Sequence, residues 1–215
     1  MKKEKFSSII FDLDGVLVDT AEFHYQAWKH LADELAIPFD RKKNDRLRGV
    51  DRMNSLEILL ENSSRQYENT DELANRKNNY YNEMIKSLTP GDLLPGVAEF
   101  LMTIRHLNIK IGLASSSKNA KTVISYLKIK DMFDAIVDGC DFQKAKPAPD
   151  VFLICAERLC ARPEDCVVVE DAQAGIDAAK TAGMYAIGIC DGRMLGHADI
   201  VFKNVKDIPL SLFME

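Results

Sequence analysis

Hydrophobic and polar positions follow two periods along the chain, and the changes of period mark its elements. Residues 7–11, SSIIF, form a short β-branched apolar run that stops at Asp12-Leu13-Asp14-Gly15, the pattern of a buried strand breaking into a turn. From Asp19 to about Leu88 the period is helical. Ala27, Leu31 and Leu35 recur every four residues, Leu56, Leu59 and Leu60 share a face, and Leu73 to Ile85 continues polar and amphipathic. Asp19 with Glu22 three residues on predicts a capping box at the start of this block.

Beyond Pro90-Gly91 and Pro95-Gly96 the two periods alternate. The pattern predicts helix 97–107, strand 109–114, helix 118–127, strand 135–138, helix 149–160, strand 166–170, helix 173–182, and strands 185–190 and 199–202. Alternating strands and helices specify an α/β fold, a Rossmann-like parallel sheet with helices on both faces. The helical block of ~70 residues after the first strand is longer than any ordinary connection. Residues 18–92 are therefore expected to be an inserted all-α cap domain, and residues 1–17 with 93–215 the α/β core. Turn residues near Val18–Thr20 and Pro90–Gly96 would serve as hinges. No internal repeat or low-complexity tract is evident.

Composition narrows the function classes. In 215 residues, 28 Lys and Arg stand against 33 Asp and Glu, a net charge of −5 that argues against a nucleic-acid binder. No run of ~18 apolar residues suggests a membrane span, and the apolar stretch ending at Asp12 is too short for a signal-peptide core. Five cysteines, Cys140, Cys155, Cys160, Cys166 and Cys190, are odd in number and contain no C-x-x-C pair, as expected of reduced thiols in a cytoplasmic protein. Without an evident exposed apolar segment, a monomer is the expectation.

Ligands of an open parallel sheet bind at the carboxyl ends of its strands, and four predicted strand ends here carry polar groups. Asp12 and Asp14, two residues apart, can face one site and bind a hard cation such as Mg2+ through oxygen, although Asp and Gly are also ordinary turn residues. Ser115-Ser116-Ser117-Lys118-Asn119 joins a strand to a helix, and its hydroxyls and free N–H groups suit either a phosphate or plain N-capping. Lys146 in KAKPAPD sits between turn formers ahead of Pro147, whose peptide bond is a candidate for cis; its ammonium can offset charge on a transferring phosphoryl group or lie in solvent. Glu170-Asp171 ends CVVV and opens a helix, so Asp171 reads as an oxygen ligand or as the helix cap.

DLDGVLVDT, LASSSKN, KAKPAPD and VVVEDAQAGIDAAKTAG resemble the four motifs of the haloacid dehalogenase superfamily of aspartyl phosphotransferases, in the subclass whose helical cap follows the first strand. DGVLVDTAEFHYQAW, LRGVDRMNSLEILL and LANRKNNYYNEMI extend the resemblance through the cap, to the β-phosphoglucomutase branch of that superfamily. The resemblance implies Asp12 as nucleophile and Asp14 as general acid/base. It implies Mg2+ held by Asp12, the Asp14 carbonyl, Glu170 and Asp171, with Ser115, Ser116 and Lys146 on the transferring phosphoryl group and Asn119 near sugar or phosphate. From the cap it implies Arg52, in GVDRMNS, as a clamp on the distal phosphate, a task that suits a guanidinium. His24 and Lys77 would couple the cap to Asp14 and the sugar, while Trp28, Gly49 and Ser55 would face the substrate. The cofactors implied are Mg2+ and β-glucose 1,6-bisphosphate, and the partner is a hexose phosphate.

Two stretches depart from the expected pattern. Asp51 stands where serine is expected, and its charge beside Arg52 should weaken phosphate binding or pair with the arginine; Asp138-Gly139-Cys140-Asp141 also differs. Two rival readings stay open, a sugar-phosphate phosphatase with the same core residues and a catalytically silent binding protein on this scaffold. Dinucleotide binding is the poorest, since the chain has neither G-x-G-x-x-G nor a Walker A run.

Overall fold

The computed structural model describes residues 6–47, 50–61, 63, 67–192 and 195–214. Six strands form one sheet in the order β3-β2-β1-β4-β5-β6, every neighbouring pair parallel. They are β1 (Ser8–Phe11), β2 (Lys110–Ala114), β3 (Ala135–Val137), β4 (Cys166–Glu170), β5 (Tyr185–Ile189) and β6 (Ile200–Phe202). β1 and β4 are buried along their whole length, the condition under which a continuous apolar run is a strand covered on both faces. Helices α5 (Val97–His106), α6 (Ala120–Tyr126), α7 (Asp150–Arg158) and α8 (Gln173–Thr181) connect and cover the strands. The expected α/β class and strand and helix order hold, with ends shifted by up to two residues.

One apolar cluster packs Phe11, Leu113 and Val169 against α5 and α6; another packs Ile10, Val168 and Ala186 against α7 and α8. The order reverses between β1 and β4, a topological switch point where a crevice opens beyond the strand ends.

Between β1 and β2 come α1 (Ala21–Glu34), α2 (Arg41–Asp45), α3 (Arg52–Leu60) and α4 (Thr70–Ile85). Trp28, Leu31, Leu56, Leu59 and Leu73 build an apolar cluster of this insert's own, whereas Tyr81, Ile85 and Leu88 join the cluster beneath the sheet. The chain's two crossings lie side by side: Val18 bridges Leu93, and the Leu94 N–H donates to the Leu17 carbonyl at 2.9 Å.

The expected capping box is absent. Asp19 accepts from the Ala21 N–H at 3.0 Å, but Glu22 turns outward to Arg41, with which it forms a 2.9 Å ion pair. Thr20 is the residue at the cap position, and its hydroxyl serves the site described next.

Candidate active site

β1 delivers Asp12 to the switch point, where the Asp12 N–H donates to the Val169 carbonyl at 2.9 Å. Gly15, at φ +81°, turns the chain, and a Cβ there would overlap the Asp171 carboxylate; glycine is therefore what brings the β1 and β4 ends together. Oxygen atoms of Asp12, Glu170 and Asp171 lie within 4.8 Å of one another.

Lys146 reaches this group from the loop before α7. Its side chain is 1% exposed, and its ammonium donates to Asp12 Oδ1 at 2.6 Å, to Glu170 Oε1 at 2.6 Å and to the Ala114 carbonyl at 3.3 Å. The Lys146-Pro147 bond is cis. Burial disfavours the ammonium, but the two carboxylates outweigh it and hold Lys146 above its usual pKa. Asp12 is raised well above the carboxylate range, first by burial and then by Glu170, Asp14 and Asp171, with Lys146 opposing. Asp12, Glu170 and Asp171 thus bring carboxylate oxygens together at one place beside a single lysine. That donor set fits a hard divalent cation.

Asp14 stands beside this cluster. Burial raises its pKa to about 6, although a short hydrogen bond from the Thr20 hydroxyl favours its ionised form. Thr20 in turn accepts from the buried Tyr81 hydroxyl at 3.2 Å, so α4 supports Asp14 through two hydroxyls.

The insert supplies the opposite wall. Lys77, 3% exposed on α4, donates to His24 Nδ1 of α1 at 2.8 Å. His24 stacks on Tyr81 at 4.1 Å, and the Lys77 ammonium lies 4.8 Å from the Trp28 ring and 5.0 Å from the Tyr81 ring. Burial, then Lys77 and Arg52, pushes His24 well below its usual pKa, so the ring is neutral, with Nδ1 accepting and the proton on Nε2. Burial and Arg52 push Lys77 down to about 7, with Asp14 opposing. Arg52 opens α3, half-buried, and among the described residues it has no carboxylate partner.

Of the two expectations for Asp51, pairing with Arg52 is corrected. Rather than pairing with Arg52, it is the N-cap of α3: Oδ1 accepts from the Met53 and Asn54 N–H groups at 2.9 and 3.2 Å, and Oδ2 from the Asn54 amide. The second departure also has a structural use. Asp138 and Asp141 form ion pairs with Lys121 at 2.9 and 3.5 Å, and Arg158 pairs with Asp141 at 2.7 Å, bracing the β3 end against α6 and α7.

A cavity of about 700 Å³ between insert and sheet is lined by every site residue singled out from the sequence except Gly49, which lies outside the described residues. Ser115 is buried, with Oγ accepting from the Ser117 N–H at 3.1 Å, while Ser116 Oγ is buried and among the described residues hydrogen-bonds to nothing, an orphaned donor suited to an anion. Ser55 turns its hydroxyl to the Val50 carbonyl at 3.5 Å. The Asn119 side chain meets no local partner: its amide donates to Asn78 of α4 at 2.7 Å. Tyr81 and Asn78 were not legible as site residues, because a tyrosine and an asparagine on a polar helix carry no distinguishing spacing.

Residues 9–189 match the family model described as haloacid dehalogenase-like hydrolase. The chain belongs to this family. Among haloacid dehalogenase-like relatives, a β-phosphoglucomutase from Bacillus subtilis is 48% identical over 212 residues, covering 97% of this chain and 94% of that protein. A phosphorylated carbohydrates phosphatase from Thermotoga maritima is 33% identical, covering 90% and 92%. The crystal structure of a β-phosphoglucomutase from Clostridium difficile superposes with a TM-score of 0.91 at 40% identity, covering 96% of this chain and 94% of that one. No disulfide joins the five cysteines, and among the described residues no helix is long and apolar enough to cross a membrane.

Proposed function

We propose that this protein is a Mg2+-dependent phosphomutase that interconverts β-D-glucose 1-phosphate and glucose 6-phosphate through an aspartyl phosphate and β-glucose 1,6-bisphosphate. Asp12 is the nucleophile. A carboxylate oxygen of Asp12 bonds to phosphorus as the ester oxygen leaves, and Asp14 gives that oxygen its proton. In the reverse half, Asp14 takes the proton of the incoming sugar hydroxyl as its oxygen bonds to phosphorus and Asp12 is released. A pKa of about 6 lets Asp14 exchange protons in both directions near neutrality.

Lys146 stays protonated beside Asp12 and, with Ser115 and Ser116, holds the phosphoryl oxygens. Asp12, Glu170, Asp171 and the Asp14 carbonyl would hold Mg2+, which when bound offsets phosphoryl charge. In this reading residues 18–92 act as a cap, with Arg52 binding whichever phosphate is not reacting while the bisphosphate turns end for end. Trp28, Ser55 and Gly49 face the sugar, and the closed cap keeps water from the aspartyl phosphate. The enzyme is a cytoplasmic monomer acting on a free sugar phosphate, without a nucleic-acid or membrane partner.

The observation that carries this reading is the His24–Lys77 hydrogen bond, which together with Arg52 brings nitrogen donors of the insert to the cavity holding Asp12 and Asp14. A hydrolase with the same core does not require them. The test is 31P NMR of the protein with β-glucose 1-phosphate, Mg2+ and a trace of β-glucose 1,6-bisphosphate. Glucose 6-phosphate with little free phosphate, abolished in Asp12→Asn, is the expected result. Predominant free phosphate would make this a phosphatase like the Thermotoga relative.

A further inference from the structure

Asn119 occupies the N-cap position of α6, where the Thr122 and Val123 N–H groups donate to its carbonyl at 3.0 Å. An asparagine there ordinarily turns its side-chain oxygen onto a free N–H of the first turn. Here no such bond forms. The Asn119 amide instead crosses the cavity and donates to Asn78 Oδ1 of α4 at 2.7 Å. The residue before Asn78 is Lys77, which meets His24. Consecutive helix residues point about 100° apart. One turn of α4 therefore reaches the acid/base end of the cavity with one side chain and the phosphate loop with the next.

We propose that Asn78 is a positioning residue that ties the insert to the phosphate loop through Asn119, and so sets how the aspartyl phosphate divides between sugar and water. The bond uses one N–H of the Asn119 amide and fixes its orientation, leaving the second N–H and Oδ1 for substrate. It also gives the closed arrangement a direct polar link between α4 and the 115–119 loop, which a hydrolase admitting water has no need to keep. This inference rests on the mutase reading above.

The experiment compares wild type, Asn78→Ala and Asn78→Asp by 31P NMR, scoring free phosphate against glucose 6-phosphate together with kcat and KM. Alanine is the better helix former, so α4 is kept, and with that gain offsetting the lost bond a thermal melt should change little. The expected result is a free-phosphate share raised about five-fold in Asn78→Ala, the fold-change corresponding to one lost hydrogen bond of about 1 kcal/mol, with kcat lowered more than KM is raised. Asn78→Asp keeps the acceptor and should restore the wild-type partition. An unchanged partition in Asn78→Ala, or an equal rise in both variants, overturns the role of Asn78 while leaving the mutase intact. A wild type that makes only free phosphate instead overturns the mutase reading itself.

Discussion

Gly175, in the first turn of α8, offers a test of how the Glu170 carboxylate is held. Gly→Ala in a helix is ordinarily stabilising by up to about 1 kcal/mol. At Gly175 an added Cβ would lie 2.6 Å from Glu170 Cγ and closer still to its carboxylate, against the 3.4 Å at which ordinary contact begins. Glu170 must therefore retreat by about 0.8 Å or more. Its carboxylate is held by the Lys146 ammonium at 2.6 Å and the Ala172 N–H at 2.8 Å, and a shift of that size weakens or breaks one of these bonds. Overpacking costs about 1–3 kcal/mol, partly offset by the helix gain. Gly175→Ala should thus lose about 1 kcal/mol, a melting shift of about 2–4 °C for a chain of this size. The larger effect is expected on the metal, since disturbing ligands or their supports costs typically 10–100-fold in affinity. Turnover followed across a Mg2+ titration, beside a thermal melt, reads both effects. A variant with wild-type half-saturation for Mg2+ and a raised melting temperature would refute the placement of Glu170.

The Lys77 pKa, pushed from its usual 10.5 down to about 7 by burial and Arg52 while His24 stays neutral and Asp14 opposes, makes stability depend on pH. A folded-state value below the unfolded one means that the unfolded chain binds the extra proton, so the penalty is full below about pH 7 and fades as pH rises toward 10.5. Lys77→Met should be more stable than wild type in urea at pH 7, with the gap narrowing by pH 10; a constant gap would place the Lys77 pKa elsewhere. Asp51→Ala should lose about 1 kcal/mol in denaturant melts through the α3 cap, and Asp51→Asn only a few tenths. If Asp51 acted on Arg52 by charge, the two variants would instead bind phosphate equally more tightly.

How far the sequence reached depended on whether a residue's partner lay near it in the chain. The strands were legible because a strand buried on both faces needs an uninterrupted apolar run, and SIIF and CVVVE provide it. Asp12, Lys146 and Glu170 were legible because each stands where a strand or turn pattern breaks. Thr20, Tyr81 and Asn78 were not, since their meaning lies in contacts between elements far apart in sequence: Tyr81 to Thr20, Thr20 back to Asp14, and Asn78 to Asn119.

Local rules failed at two caps because long-range partners claimed the capping side chains. Asp19 and Glu22 had the spacing of a capping box, yet Thr20 took the cap position and directed its hydroxyl to Asp14; Asn119 took a cap position and directed its amide to Asn78. Each helix start forgoes a bond worth about 1 kcal/mol that its residue type could have made locally. Asn119 lines the cavity and Thr20 is buried beside Asp14, and both end on a chain that leads to α4, one through Tyr81 and the other directly at Asn78. A diverted cap gives up local helix stability for a bond between elements far apart in the chain. That the two diversions converge on one helix of the insert ties α4, more than any other element of the insert, to the chemistry at Asp14 and the phosphate loop.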